Sequence, residues 1–286
     1  MGGGAWTTEN FVSYSHRTCK AVNRDGTLLS SYKAQDLFKS RHIQPELNPY
    51  KVIRQCCDTD EHPNTIPVIL ALDVTGSMGS AAAEVAKKLN EVMTNLYDKV
   101  SDVEFLIMGI GDLAYDDAPI QASQFESDVR IAEQLDKIYF EGGGGGNGFE
   151  SYTAAWYFGL KHADLDCWKR GKKGIIITMG DEPLNPYLPV HELSKTLGDN
   201  LQASVETKDL YEAVSSKYEV YHLAVNDRET SYAFYKDRIE ATFGKYLDSD
   251  HLFTVSLDNI SASIVNIVSD VEDKASNESR PEGIYW

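Results

Sequence analysis

The chain has 286 residues and a mass of 31.9 kDa, 42% hydrophobic and 25% charged, long enough for one large α/β domain, or a domain with an extension, around a sizeable core. With 44 acidic against 27 basic residues the formal net charge is -17, which opposes nucleic-acid backbones and anionic lipid surfaces. The start of the chain has no signal-peptide pattern and no stretch reaches the ~20 apolar residues that span a bilayer, so a cytoplasmic protein without membrane or nucleic-acid partners is expected.

Residues 1–62 are polar, rich in Ser, Lys and Arg, and read as an N-terminal extension with a short helix near residues 31–39. Isolated Trp6, Phe11, Tyr14 and Phe38 suit an arm that orders on a neighbouring subunit. Cys19, Cys56, Cys57 and Cys167 are scattered and read as free thiols. Cys56 and Cys57, with Asp58 and His62 nearby, form at most a soft metal site without zinc-motif spacing.

From residue 63 to about residue 272, strands alternate with amphipathic helices. That texture predicts a doubly wound, mainly parallel sheet covered by helices on both faces, followed by a polar tail over 273–286. A buried strand over 68–72 precedes a polar turn and a helix whose stripe is Val85, Leu89, Val92 and Leu96. A second strand spans 103–110 and a short edge strand 120–125, with a helix over 128–138. Between the two strands, Asp112, Asp116 and Asp117 read as a solvated acidic loop. The glycine run at 142–146 opens a helix carrying Ala154, Ala155 and Phe158, and Trp156, Tyr157 and Phe158 read as core. The run from Gly174, "GIIIT", is apolar enough for a central strand and stops at Asp181. The connection over 185–217 is too long to lack helices of its own. Strands over 218–225 and 251–257 follow, then a closing helix with Ile260, Ile264, Ile267, Val268 and Val271 on one face. The histidines have no paired spacing that invites zinc.

Ligands of such sheets bind beyond the carboxyl ends of the strands. Three polar clusters fall there: Asp73, Thr75 and Ser77; the loop from Gly142 to Ser151; and Asp181. One carboxylate and two hydroxyls at alternate positions of a tight turn can converge on a hard cation, Mg²⁺ with Mn²⁺ or Ca²⁺ as substitutes. Few of these ligands are charged, so the ion retains positive charge for an incoming carboxylate.

The Asp73-Val74-Thr75-Gly76-Ser77-Met78 turn resembles the metal-ion-dependent adhesion site of the von Willebrand factor type A (vWA) family, and the order of elements over residues 63–272 is similar. The resemblance implies that Asp73, Thr75 and Ser77 hold or orient the metal and that Asp181 binds a metal-bound water. It implies a non-enzymatic protein-binding module that captures a partner's Asp or Glu, with an AAA+ ATPase as one such partner. The middle element departs from the family's Gly-Gly-Thr: Asn147 is the first choice for the third ligand, with Glu150 and Ser151 behind it and Thr153 too deep in its helix. Two rivals stand. The same turn resembles the aspartyl-phosphate turn of haloacid dehalogenase-like phosphatases, with Asp73 as a nucleophile beside Mg²⁺, although Asn185 replaces an expected acid. The aromatic-bearing extension fits a structural subunit of a larger assembly.

Overall fold

The computed structural model describes residues 4–100, 102–142 and 146–278, the last six as backbone only. The elements in chain order are α1 (Thr8–Arg17), α2 (Ala34–Leu37), β1 (Arg54–Cys56), β2 (Ile66–Asp73), α3 (Gly79–Tyr97), β3 (Val103–Ile110), β4 (Ile120–Glu126) and α4 (Arg130–Leu135). Then come α5 (Thr153–Lys161), β5 (Ala163–Leu165), β6 (Gly174–Gly180), β7 (Tyr187–Leu188), α6 (Val190–Leu197), β8 (Val205–Glu206), α7 (Thr207–Val214), β9 (Tyr218–Val225), α8 (Tyr232–Phe243), β10 (Leu252–Val255) and α9 (Ile260–Glu278).

Six strands form the central sheet in the order β10-β9-β6-β2-β3-β4, with β4 antiparallel at the edge and the other pairings parallel. The apolar runs of β2, β3 and β6 are interior strands because helices cover both of their faces. Alternate side chains divide between those faces. Val68, Leu70, Leu72, Ile175 and Ile177 pack with α3, α4 and α9; Ile69, Ala71, Leu106, Met108 and Ile176 pack with α5, α6, α7 and α8. Trp156, Tyr157 and Phe158 lie in this second layer, as their apolar surface requires. Pairing between β3 and β4 slips at a bulge, where the Ile107 N–H donates to Ser123 Oγ at 2.8 Å.

Trp6, Phe11, Tyr14 and Phe38 of the N-terminal segment bury on this same chain. Trp6, Phe11, Tyr14, Leu28, Leu37, Phe38 and Leu47 join the core layer of α3, and Trp6 Nε1 donates to Asn90 Oδ1 at 2.9 Å. Arg54 fastens the segment to edge strand β4 through Ala122 O at 2.8 Å and reaches back to Glu46 O at 2.6 Å. Burying those rings against α3 removes apolar area from water without a second subunit.

Candidate functional site

β2 carries Asp73 to the carboxyl end of the sheet, where the residue is fully buried. Leu72 pairs with Met179 in neighbouring β6, so Asp181, one residue past that strand, falls beside it. The turn after β2 wraps round its own carboxylate. Asp73 Oδ1 accepts the Thr75 N–H at 2.9 Å and the Thr75 hydroxyl at 2.6 Å. A short 3₁₀ turn over Gly76–Met78 then feeds α3. Ser77, half-buried, donates from Oγ to Asp181 Oδ1 at 3.1 Å, and the Ser231 N–H, just before α8, donates to Asp181 Oδ2. The two sequence clusters thus touch.

Tyr152 is a site residue that sequence reasoning missed. Fully buried, it donates from its hydroxyl to Asp73 Oδ2 at 2.8 Å and accepts the Glu182 N–H at 3.3 Å, bridging the ends of β2 and β6. A Cβ on Gly180 would lie 1.9 Å from that hydroxyl, so the phenol fits only against glycine. In sequence Tyr152 reads as one more aromatic before Trp156-Tyr157-Phe158; its position between the glycine loop and a helix start is the one local signal.

The glycine loop is described at Gly142 and from Gly146 onward; the remainder of the 142–146 run lies outside the described residues. Asn147 is exposed and engaged at both ends: Nδ2 donates to Asp112 Oδ2 at 2.6 Å and Oδ1 accepts the Phe149 N–H at 3.0 Å. Ser151 Oγ accepts the Leu113 N–H at 3.0 Å. Thr153 is tied to Asn185 through its N–H at 3.2 Å and its Oγ1 at 2.6 Å. Glu150 is only 1% exposed, and among the described residues neither of its carboxylate oxygens has a hydrogen-bond partner. The acidic loop is not uniformly solvated: Asp117 is exposed, but Asp112 is buried, because its carboxylate serves the Asn147 amide and the Ala114 N–H.

Burial sets the electrostatics here. It raises the carboxyl of Asp73, with the charge of Asp181 adding to the effect, while donation from Thr75 and Tyr152 opposes it. Burial raises Asp181 against the donors Ser231 and Ser77. Glu150 is pushed well above the carboxylate range by burial and then by Asp73, and Glu182 up to about 7 by burial and then by Asp181. Carboxylates gathered out of water without cations to match need protons or a positive ion. The oxygen-only donor set and the orphaned Glu150 carboxylate fit a hard divalent cation. Among the described residues no group of three or more His, Cys, Asp or Glu side chains is arranged to hold a metal by itself, so any ion here depends on the hydroxyls as well.

The other candidates are not assembled for metal. Asp58 is engaged by Thr65 and Arg170, and His62 by Gly4 O, while all four cysteines are free thiols. Buried His162 lies between Val52 O and Asp199, and His222 packs in the core.

No family model and no curated protein matches this sequence. Solved structures do match. The pilus adhesin SpaC of Lactobacillus rhamnosus GG, in an open conformation, is 14% identical with a TM-score of 0.50, covering 79% of this chain and 31% of that one. This chain therefore spans under a third of that adhesin's length. The vWF domain of the type V pili tip protein Mfa5 from Porphyromonas gingivalis is 14% identical with a TM-score of 0.43, covering 77% and 98%. The SpRpn10 VWA domain is 12% identical with a TM-score of 0.38, covering 73% and 95%. Strand order, helices on both faces and the SpaC likeness identify the fold as α/β, doubly wound and vWA/Rossmann-like.

Proposed function

We propose that the chain is a non-enzymatic, Mg²⁺-dependent protein-interaction module whose ion captures an Asp or Glu side chain of a partner protein. Thr75 and Ser77 offer their hydroxyl oxygens to the ion, and Asp73 and Asp181 orient those hydroxyls and offset its charge. Glu150 is the contributor from the glycine loop in preference to Asn147, whose amide is engaged with Asp112 and Phe149. Mn²⁺ or Ca²⁺ can substitute. A bound divalent ion supplies positive charge and an open position for a carboxylate. The observation that carries this reading is the Ser77–Asp181 contact together with the buried Glu150 carboxylate, which has no partner among the described residues and feels the charge of Asp73. SpaC being a pilus adhesin agrees in kind with a role in binding. An AAA+ ATPase is one partner class within the proposal, and four unpaired cysteines support a reducing cytoplasm.

Calorimetric titration of Mg²⁺ into wild type and Asp73→Ala, with p-nitrophenyl phosphate turnover measured in parallel, tests the reading. Binding heat in the wild type, its loss in the variant and no turnover are expected. Mg²⁺-dependent turnover abolished in the variant would favour the phosphatase instead, and no heat in the wild type contradicts the proposal.

A further inference from the structure

α8 buries Tyr232, Ile239 and Phe243 and turns another face outward beside the glycine loop. On that face Phe234 is 82% exposed and meets the Tyr235 ring edge-on, with centroids 4.7 Å apart. The Arg238 guanidinium lies 4.9 Å from the Phe149 ring centroid and 5.3 Å from that of Tyr235, and its Nη2 donates to Gly148 O at 3.3 Å. Gly148 has φ +68, and a Cβ there would come within 3.1 Å of the Tyr235 hydroxyl and 3.2 Å of Arg238 Nη1. Glycine is what lets the loop close on this face. Tyr115, 59% exposed, stands 3.8 Å from where a Cβ on Gly146 would be.

Aromatic residues and arginine at the mouth of a site are the composition that dominates binding energy at protein interfaces. A guanidinium held in plane by two rings and a carbonyl loses little freedom when its remaining donors meet a carboxylate. Charge adds direction. The molecule carries a formal -17, so an acidic partner is repelled over most of the surface and drawn only to a cation, and Arg238 is a cation at this mouth. Ser231, which bonds Asp181, and Arg238 are seven positions apart, roughly 10 Å along a helix, a span that about three residues of extended chain would cover.

We infer that Arg238 and its aromatic frame are a second anchor for the partner, which therefore presents an extended acidic segment: one carboxylate for the ion, a second about three residues away for Arg238, and an apolar side chain against Phe234. This rests on the Mg²⁺ reading above.

The test is selection of a displayed random-peptide library on the full chain in Mg²⁺ with elution by EDTA, repeated on Arg238→Ala, Arg238→Lys and Asp73→Ala. Arg238 is exposed, so its replacement leaves the fold intact. Wild type is expected to enrich peptides with two acids at that spacing and an apolar residue. Arg238→Ala should lose the second acid from the consensus, and Arg238→Lys, which keeps charge but not the planar fork, should weaken it. The same acid pair from Arg238→Ala, or a single-acid consensus from wild type, overturns the second anchor while leaving the ion in place. Enrichment indifferent to EDTA and to Asp73→Ala, or no enrichment, overturns the metal reading and this inference with it.

Discussion

The hydroxyl of Tyr152 has its donor on Asp73 Oδ2 and its acceptor on the Glu182 N–H, so it fixes the carboxylate around which the turn is built. Tyr152→Phe keeps the ring against His222 and Phe243, with centroids at 5.1 Å and 5.8 Å, and still fits beside Gly180. Loss of an outer partner of this kind should weaken Mg²⁺ binding by about 10- to 100-fold. The stability loss in EDTA should be only about 1–2 kcal/mol. Tyr218→Phe, which removes a bond to Gly159 O at 2.9 Å, is the structural control. An unchanged Mg²⁺ affinity in Tyr152→Phe, measured by calorimetry, would sink this role. Asp73, Thr75, Ser77 and Asp181 are legible in sequence because each sits at the abrupt end of an apolar run. Tyr152 is not, because its partner lies 79 residues away and an aromatic beside a core helix looks like packing.

Among the elements, β9 contributes a pH limit through His222. The imidazole is buried, stacks on Phe243 at 3.8 Å between centroids, and meets Thr178 Oγ1 at 2.8 Å; burial lowers it to about 3. The folded value lies below that of the unfolded chain, so the unfolded state takes up the proton first. This contribution to stability is complete above pH ~6.5 and declines by about 1.4 kcal/mol per pH unit as pH falls from there toward 3. Between pH 7 and 5, urea midpoints of the wild type should fall more steeply than those of His222→Gln; parallel slopes would contradict it. The same strand shows what sequence can carry. Strands 103–110 and 218–225 are legible to the residue because their runs are apolar and sharply bounded. α1 escapes notice because only Phe11, Tyr14 and Ser15 of its ten residues are buried, and α8 because charges interrupt its stripe. β1 and β5 are three residues each and find each other across Arg54–Ala163, a pairing no local pattern announces.

At the scale of the whole molecule, a vWA/Rossmann-like sheet gathers three sequence-distant segments at one rim, and the N-terminal segment braces α3, which grows out of the site turn. The doubly wound, mainly parallel sheet is legible in outline because strand and helix patterns alternate; the docking of residues 6–47 is not, since isolated aromatics in polar sequence give no period. Among the described residues no helix is long and apolar enough to cross a membrane. All of the functional reading turns on whether the oxygens of Thr75, Ser77 and the Glu150 loop share one ion. Crystals grown in MnCl₂ and measured at the manganese edge address that directly. The account expects an anomalous peak roughly 2.1 Å from Thr75 Oγ1 and Ser77 Oγ. Density with Thr75 on Asp73 and Ser77 on Asp181, as the account expects, but with no anomalous peak between the two hydroxyls would contradict it.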